Sequence, residues 1–463
     1  MSHPIEPQDR HPLITSTTIP RYAAGSVREV AHLALPVVLT HISITAMQIV
    51  DSIMVGRLGS PQLASVGFGG VWLWTLMCFF VGTTTCVQTF VAQHFGAREF
   101  RACGGWAWQG LYAIVPMAFV LGAALVIGAG PLVRLLDPDP LISPFAIDYM
   151  QARALGNPGL IAAVALSSFF RGLGDTRTPL YASIVANLLN VVLDYGLIFG
   201  ELGLPELGVA GAGIATSIAE WTNFGMLFYF FRRSTIAHAF DTAPVSPNLT
   251  QIRRLMRTGL PVGGQWWLEM ASFALFLTLV ARMGDAPMAA SQAFISLLSI
   301  SFMQAHGLGI AVSTLVGQYI GAKDLQAAER SFYSGIRLCL VLAGVVGLLL
   351  AFAAEPLLEL YSDDPRVLAL GRPLMLVGAV FQLFDALAII ADGGLRGAGD
   401  TRWPMVVRFL LAWFLFLPAA YILGIHLGGG LTWAWIGGLV YVVVLMGVLV
   451  ARFRGGRWKV IEI

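Results

Sequence analysis

The sequence predicts an all-α integral membrane protein, with twelve transmembrane helices in two six-helix lobes related by a pseudo-two-fold internal repeat. Three observations predict it. Hydrophobic residues make up 57% of the 463 residues and charged residues 12%, roughly half the charged share of a soluble domain. A dozen apolar stretches follow one another, each near the ~20 residues that cross a bilayer. The segment Arg171-Gly172-Leu173-Gly174-Asp175-Thr176-Arg177-Thr178-Pro179 also recurs, as Arg396-Gly397-Ala398-Gly399-Asp400-Thr401-Arg402-Trp403-Pro404.

The first lobe, 31–231, is expected to hold helices near 31–56, 63–91, 106–127, 145–170, 179–199 and 209–231. The second, 258–453, repeats them near 259–283, 290–318, 337–354, 374–395, 404–425 and 431–453. A polar stretch, 232–257, contains Pro244 and Pro247 and reads as the linker between lobes. The ends, 1–30 and 454–463, read as polar tails. No apolar run follows a basic start in the first thirty residues, so the first helix is expected to serve as its own insertion signal. An even helix count puts both ends on one side. Twenty Lys and Arg fall on that side and five on the other (Arg57, Arg134, Arg282, Arg366, Arg372), which places both termini and the linker in the cytoplasm of an inner-membrane protein. The sequon at Asn248 then faces no glycosylating compartment.

Net charge is +2, which argues against a nucleic-acid partner. The four cysteines have no metal spacing. No cofactor and no enzymatic residue set is expected. The partners expected are small organic molecules and membrane lipids, and the chain is expected to be a monomer.

The two halves overlay at an offset of 225 residues. Leu35-Pro36-Val37 meets Leu260-Pro261-Val262, Arg57 and Gly59 meet Arg282 and Gly284, and Gln93, Gly96 and Ala97 meet Gln318, Gly321 and Ala322. A six-helix period keeps both halves in one orientation, so the expected axis runs along the membrane normal, with the solute site between lobes. In the repeated segments the glycines allow a turn and the proline opens the next helix. Asp175 and Asp400 can cap that helix, while Arg171 and Arg396 can reach lipid phosphate or helix-end carbonyls.

Few acids lie within the spans: Asp51, Asp194, Glu220, Glu269, Asp385 and Asp392. Intramembrane acids are costly and by default mark a functional path. Asp51 and Asp194 both sit about 10 Å below the outer end at 1.5 Å per residue, close enough to share a pocket. Asn190 and Asn187 lie one and two turns before Asp194 on one face. Glu269 and Asp385 fall roughly 16–18 Å from the inner end, near the midplane. Gln48 is expected beside Asp51 and Gln265 beside Glu269. Asp392 and Arg396 are four apart and should pair. None of the four principal acids recurs at the repeat offset, so each lobe is expected to own a distinct site.

Three stretches resemble the MATE family, the multidrug and toxic compound extrusion antiporters: Val50-Asp51-Ser52-Ile53-Met54-Val55-Gly56, Asn187 through Asp194, and the duplicated RGxGDTRxP. The resemblance spans residues 30 to 453. It implies a two-lobed exporter driven by inward flow of H⁺ or Na⁺. It implies a cation and proton site at Asp51, Asn190 and Asp194, with Na⁺ there as one option. It matches Glu269 and Asp385 to the seventh- and tenth-helix acids of the NorM-type branch. Phe381 stands where that branch often has Tyr, and Asp194 is a DinF-type feature, so the chain mixes patterns.

The expected function is efflux of amphipathic, cationic compounds. Asp51 and Asp194 would take up the cation and rearrange the first helix around Pro36. Glu269 and Asp385 would offer negative charge to the substrate, with Gln48, Gln265, Trp266 and Phe381 lining its cavity. One rival is a flippase for lipid-linked precursors, which would favour a cationic cavity. The other is a membrane enzyme or receptor; the scattered histidines lack ligand partners for metal chemistry.

Overall fold

The computed structural model describes residues 22–361 and 364–461, and those residues form helices and no strands. Most of the first tail, residues 1–21, and the last two residues of the second lie outside them. Twelve bilayer-length helical segments follow in order. In the first half they are α1 Val27–Gly56, α2 Ser60–Gly96, α3 Phe100–Leu136, α4 143–172, α5 Arg177–Phe199 and α6 Gly208–Arg232. In the second they are α7 Leu249–Ala281, α8 Asp285–Gly321, α9 Leu325–Phe352, α10 Pro365–Gly397, α11 Arg402–His426 and α12 Gly430–Arg454. Ten of them are long and apolar enough to span alone. The other two are α4, broken at Leu155-Gly156 into Ser143–Ala154 and Asn157–Gly172, and α6.

The duplication holds down to single backbone angles. Helix bounds 60, 96, 100, 172 and 177 reappear 225 residues on, at 285, 321, 325, 397 and 402. Arg98 and Lys323 share a left-handed φ of 62° and 59°, and Gly174 and Gly399 share 86° and 84°. The motif aspartates have diverged in partner. Asp175 Oδ1 accepts from the Arg177 and Thr178 amides at 3.1 and 3.0 Å, and Oδ2 from the Thr178 hydroxyl at 2.6 Å. Asp400 Oδ2 instead accepts from Arg452 Nε at 2.8 Å, with that guanidinium 5.0 Å over the Trp403 ring. The equivalents of Arg452 and Trp403 in the first half are Leu227 and Thr178, so the exchange of partner follows from two substitutions.

The 232–257 stretch is mostly helical. A short helix, Ser234–Phe240, precedes α7, which starts some ten residues before the expected position. Its start is fixed by Asn248, whose Oδ1 accepts from Thr250 N at 3.0 Å and Gln251 N at 3.2 Å. Gln109 of α3 holds this turn, donating to Ser246 O at 3.0 Å and accepting from Asn248 N at 2.8 Å. In α11, two π-helical turns, Ala412–Phe416 and Ile422–His426, flank Pro418, which has no amide to give the ladder.

The described residues divide into two compact units, one of 22–23 with 39–263 and one of 24–38 with 264–361 and 364–461. Both boundaries cut a helix two residues after a proline, Pro36 in α1 and Pro261 in α7. Within the first unit the inner half of α7 lies tight on α2. A Cβ at Gly82 would sit 3.0 Å from Gly263 Cα, and one at Gly263 would run into Phe79 O and Thr83 Oγ1. Within the second, the repeat-equivalent pair is Gly307 and Val38, where a Cβ on Gly307 would sit 3.2 Å from Val38 N. Val30, Leu33 and Ala34 of α1 join Leu308, Phe332, Ile390 and Phe453 in one buried cluster. Ser334 donates to Gly25 O at 2.6 Å and the Tyr319 hydroxyl to Glu29 Oε1 at 2.8 Å, pinning the start of α1.

Gly263→Ala forces a methyl group into the α2 backbone and should lower stability by about 1–3 kcal/mol. Gly128→Ala, where nothing lies within 4 Å, should leave it unchanged. Thermal unfolding of the detergent-purified variants, followed by size-exclusion, checks both.

Candidate functional site

In the first unit α1, α4, α5 and α6 bring a polar cluster together. Residues 187, 190 and 194 recur at helical spacing on α5, and Asn190 and Asp194 are fully buried. In the orientation that satisfies its neighbours, the Asn190 amide links both acids. Its nitrogen donates to Asp51 Oδ1 at 3.0 Å and to Asp194 Oδ2 at 3.3 Å, and its oxygen accepts from Thr216 N at 3.2 Å. The two carboxyl groups also face each other. Asp194 Oδ1 has no hydrogen-bond partner among the described residues.

Arg153 of α4 lies in the same pocket. It pairs with Glu220 of α6 at 2.9 Å, hydrogen bonds with Tyr149, and acts electrostatically on both Asp51 and Asp194. Gly156 makes room for this pair, since a Cβ there would collide with Glu220 Oε2. Gly213 brings α6 against α4, where its Cβ would lie 3.1 Å from Tyr149 O. Ser217 donates to Ala152 O at 2.8 Å and fixes the register.

In the second unit α7, α10, α11 and α12 hold a second cluster. Arg408 of α11 pairs with Glu269 of α7 and places Nε 3.7 Å from Asp392 Oδ1. Asp392 pairs with Arg396 at 2.6 Å, as their spacing predicts. Gln265 donates to Asp392 Oδ1 at 3.4 Å. Tyr441 lies beside Glu269 and Arg408. Asp385 is close enough to feel both Arg408 and Glu269, and no ion pair to it occurs among the described residues.

Several expected residues sit differently from the sequence reading. Asn187 donates to Ser43 of α1 at 2.8 Å, so it ties helices together two turns from Asp51. Gln48 lines an open groove with Thr45, Ile49, Ser52, Ile53, Gly56 and Leu63, a set without Asp51. Gln265 is buried and belongs to the Asp392 cluster. Glu269 is compensated by Arg408. Trp266 meets His306 edge-to-face at 5.8 Å, Trp267 is 44% exposed, and Phe381 meets Trp435 edge-to-face at 6.1 Å.

Sequence reasoning missed Tyr149, Arg153, Thr216, Arg408 and Tyr441. A signal existed for the arginines. After the cytoplasmic twenty and the outer five, only Arg153, Arg408 and Arg452 remain of the 28 basic residues, and all three fall inside spans. Each is paired with an acid.

A family model described as MatE matches residues 36–196 and 261–422, two stretches that start 225 residues apart, the offset of the repeat. The probable multidrug resistance protein NorM of Chromobacterium violaceum is 31% identical over 407 residues, 87% of this chain and 87% of that protein. The multidrug resistance protein PmpM of Pseudomonas aeruginosa is 31% identical over 409 residues, 87% of this chain and 84% of that protein. The crystal structure of the eukaryotic MATE transporter AtDTX14 superposes with a TM-score of 0.82 at 22% identity, over 93% of this chain and 96% of that one. That likeness shows the fold.

Arg408→Met strands Glu269 without its cation and leaves Asp392 with Arg396 alone. It should cost about 3–5 kcal/mol of stability. Adding Glu269→Gln should recover part of that loss, and a double-mutant cycle on thermal stability measures the coupling.

Proposed function

The chain belongs to the MatE family, and from that premise we propose that it is a secondary active efflux antiporter, exchanging cytosolic amphipathic cations for external H⁺ or Na⁺. The observation that carries the coupling is the Asn190 amide bridging Asp51 and Asp194 in a buried pocket. The names of its relatives favour drug export over lipid-precursor flipping. The chain is a multi-pass membrane protein, here placed in the inner membrane with both ends in the cytoplasm and working as a monomer.

Two carboxylates facing each other out of water repel, so the pocket attracts a positive charge entering from outside. While the pair is ionised, the Asn190 N–H groups bond both acids. When a proton binds, the acid it neutralises becomes a donor, so the hydrogen bonds that Asn190 makes to the pair must rearrange. Asp51 and the Asn187 partner Ser43 both lie on α1, so the change reaches the helix that Pro36 interrupts. The cation drives export only through its different affinity for the two states.

Asp385 supplies the negative charge that a cationic substrate meets, because Glu269 is already neutralised by Arg408. Trp266 and Phe381 are the aromatic side chains that this reading assigns to the substrate.

Asp51→Asn should still insert and fold but lose pH-gradient-driven export of a lipophilic cation from proteoliposomes, down to the leak of protein-free vesicles. Export at the wild-type rate would refute the coupling role. Asp385→Asn should raise the half-saturating concentration of the cation about tenfold, roughly 1.4 kcal/mol, more than Glu269→Gln does. A concentration series in the same vesicles compares them.

A further inference from the structure

We propose that Arg408 is a displaceable counter-ion: a substrate cation bearing N–H groups takes Glu269 from it, and Arg408 passes to Asp392. This rests on the cation-export reading and names the kind of cation.

One guanidinium stands here between two acids. Arg408 of α11 pairs through Nη1 with Glu269 Oε1 of α7, and its Nε lies 3.7 Å from Asp392 Oδ1 of α10. That gap is too long for a hydrogen bond. Arg408 Nε is buried and has no hydrogen-bond partner among the described residues. A buried N–H left unsatisfied is costly, so a short move toward Asp392 relieves it. Asp392 can accept the move. Its Oδ2 is held by Arg396 at 2.6 Å, and its Oδ1 accepts from Gln265 at 3.4 Å, which leaves that oxygen a second lone pair.

Exposure sets the order of events. The Glu269 side chain is 32% exposed, against 10% for Arg408 and 5% for Asp392. An arriving cation therefore meets Glu269 first. To replace a guanidinium on a carboxylate it must bring hydrogen bonds as well as charge. A protonated amine brings both, and a quaternary ammonium brings charge alone. The charges allow one such guest. Glu269 and Asp392 balance Arg396 and Arg408, and Asp385, about 10 Å along α10 from Asp392, adds one negative charge more.

The helix that carries Arg408 has slack beside it. It is α-helical over Arg402–Leu411 and turns π-helical at Ala412–Phe416, one turn past Arg408. The repeat counterpart, α5, is α-helical throughout. A π turn holds one residue more than an α turn, and such turns cluster at functional sites. Its return to α geometry would shift Arg408 against α7 and α10.

Equilibrium binding to purified full-length protein in detergent at neutral pH tests this with two probes of equal charge, benzylammonium and benzyltrimethylammonium. The wild type should bind benzylammonium about tenfold more tightly, the worth of one hydrogen bond to a charged group. Arg408→Gln spares the guest the displacement and should bind benzylammonium about tenfold more tightly than the wild type. Asp392→Asn weakens the acceptor that Arg408 moves to and should bind it about tenfold more weakly. General damage to the site would weaken both. The paired variant Glu269→Gln/Arg408→Gln strands neither charge and should bind the two probes alike, which keeps the test decisive if Arg408→Gln alone does not fold.

An Arg408→Gln protein that folds and binds benzylammonium no more tightly than the wild type overturns the proposal. So does an Asp392→Asn protein that binds it as well as the wild type, or a paired variant that still prefers it. A wild type that binds both probes alike overturns the proposal and leaves cation export standing. A wild type that binds neither removes the export reading, and the proposal falls with it.

Discussion

Charge pairing out of water is the constraint that organises this molecule. A carboxylate or guanidinium among apolar helices is costly alone and tolerable beside its opposite. Arg153 meets Glu220, Arg408 meets Glu269, and Arg452 meets Asp400. What the pairing leaves over among the described residues is Asp385 and the Asp51–Asp194 couple, the couple linked by an amide. The coupling proposed for it needs a site whose charge is not already balanced.

The scaffold that presents these groups is duplicated, and the groups are not. Helix ends, left-handed turn residues and the tight glycine contact beyond each proline recur at one offset. The acids and arginines of the two clusters, Asp51, Asp194, Arg153 and Glu220 against Glu269, Asp385, Asp392 and Arg408, fall at different positions in each half. Packing between helices depends on backbone shape, which duplication preserves. Charge depends on single side chains, which change freely so long as each change finds a partner. The pair of Trp403 and Arg452, against Thr178 and Leu227, is such a joint change.

Much of this could be read from the residues. Hydropathy marked all twelve spans because an apolar run of bilayer length has few other uses. Helical spacing put Asn190 and Asp194 on one face, and counting depth from helix ends brought Asp51 level with them. Contacts set by tertiary structure could not be read. Arg408 and Glu269 lie 139 residues apart, and no local pattern announces that their helices meet. The early start of α7 depends on Asn248 being held by Gln109 from another helix. Asn187 shares the face of Asn190, yet the rotation of α5 against α1 hands it to Ser43. The buried arginines could have been noticed, since a basic residue in a span needs a partner as much as an acid does.

The proposed coupling requires the Asp51–Asp194 couple to change its proton content when substrate binds. Proton release is its most direct measure: a lipophilic cation added to purified protein in lightly buffered detergent solution, with a pH-sensitive dye. The wild type should release protons as the cation saturates, and a variant with Asp194→Asn should release none. A wild type that binds the cation without proton release, or an Asp194→Asn variant that releases as many protons, would contradict it.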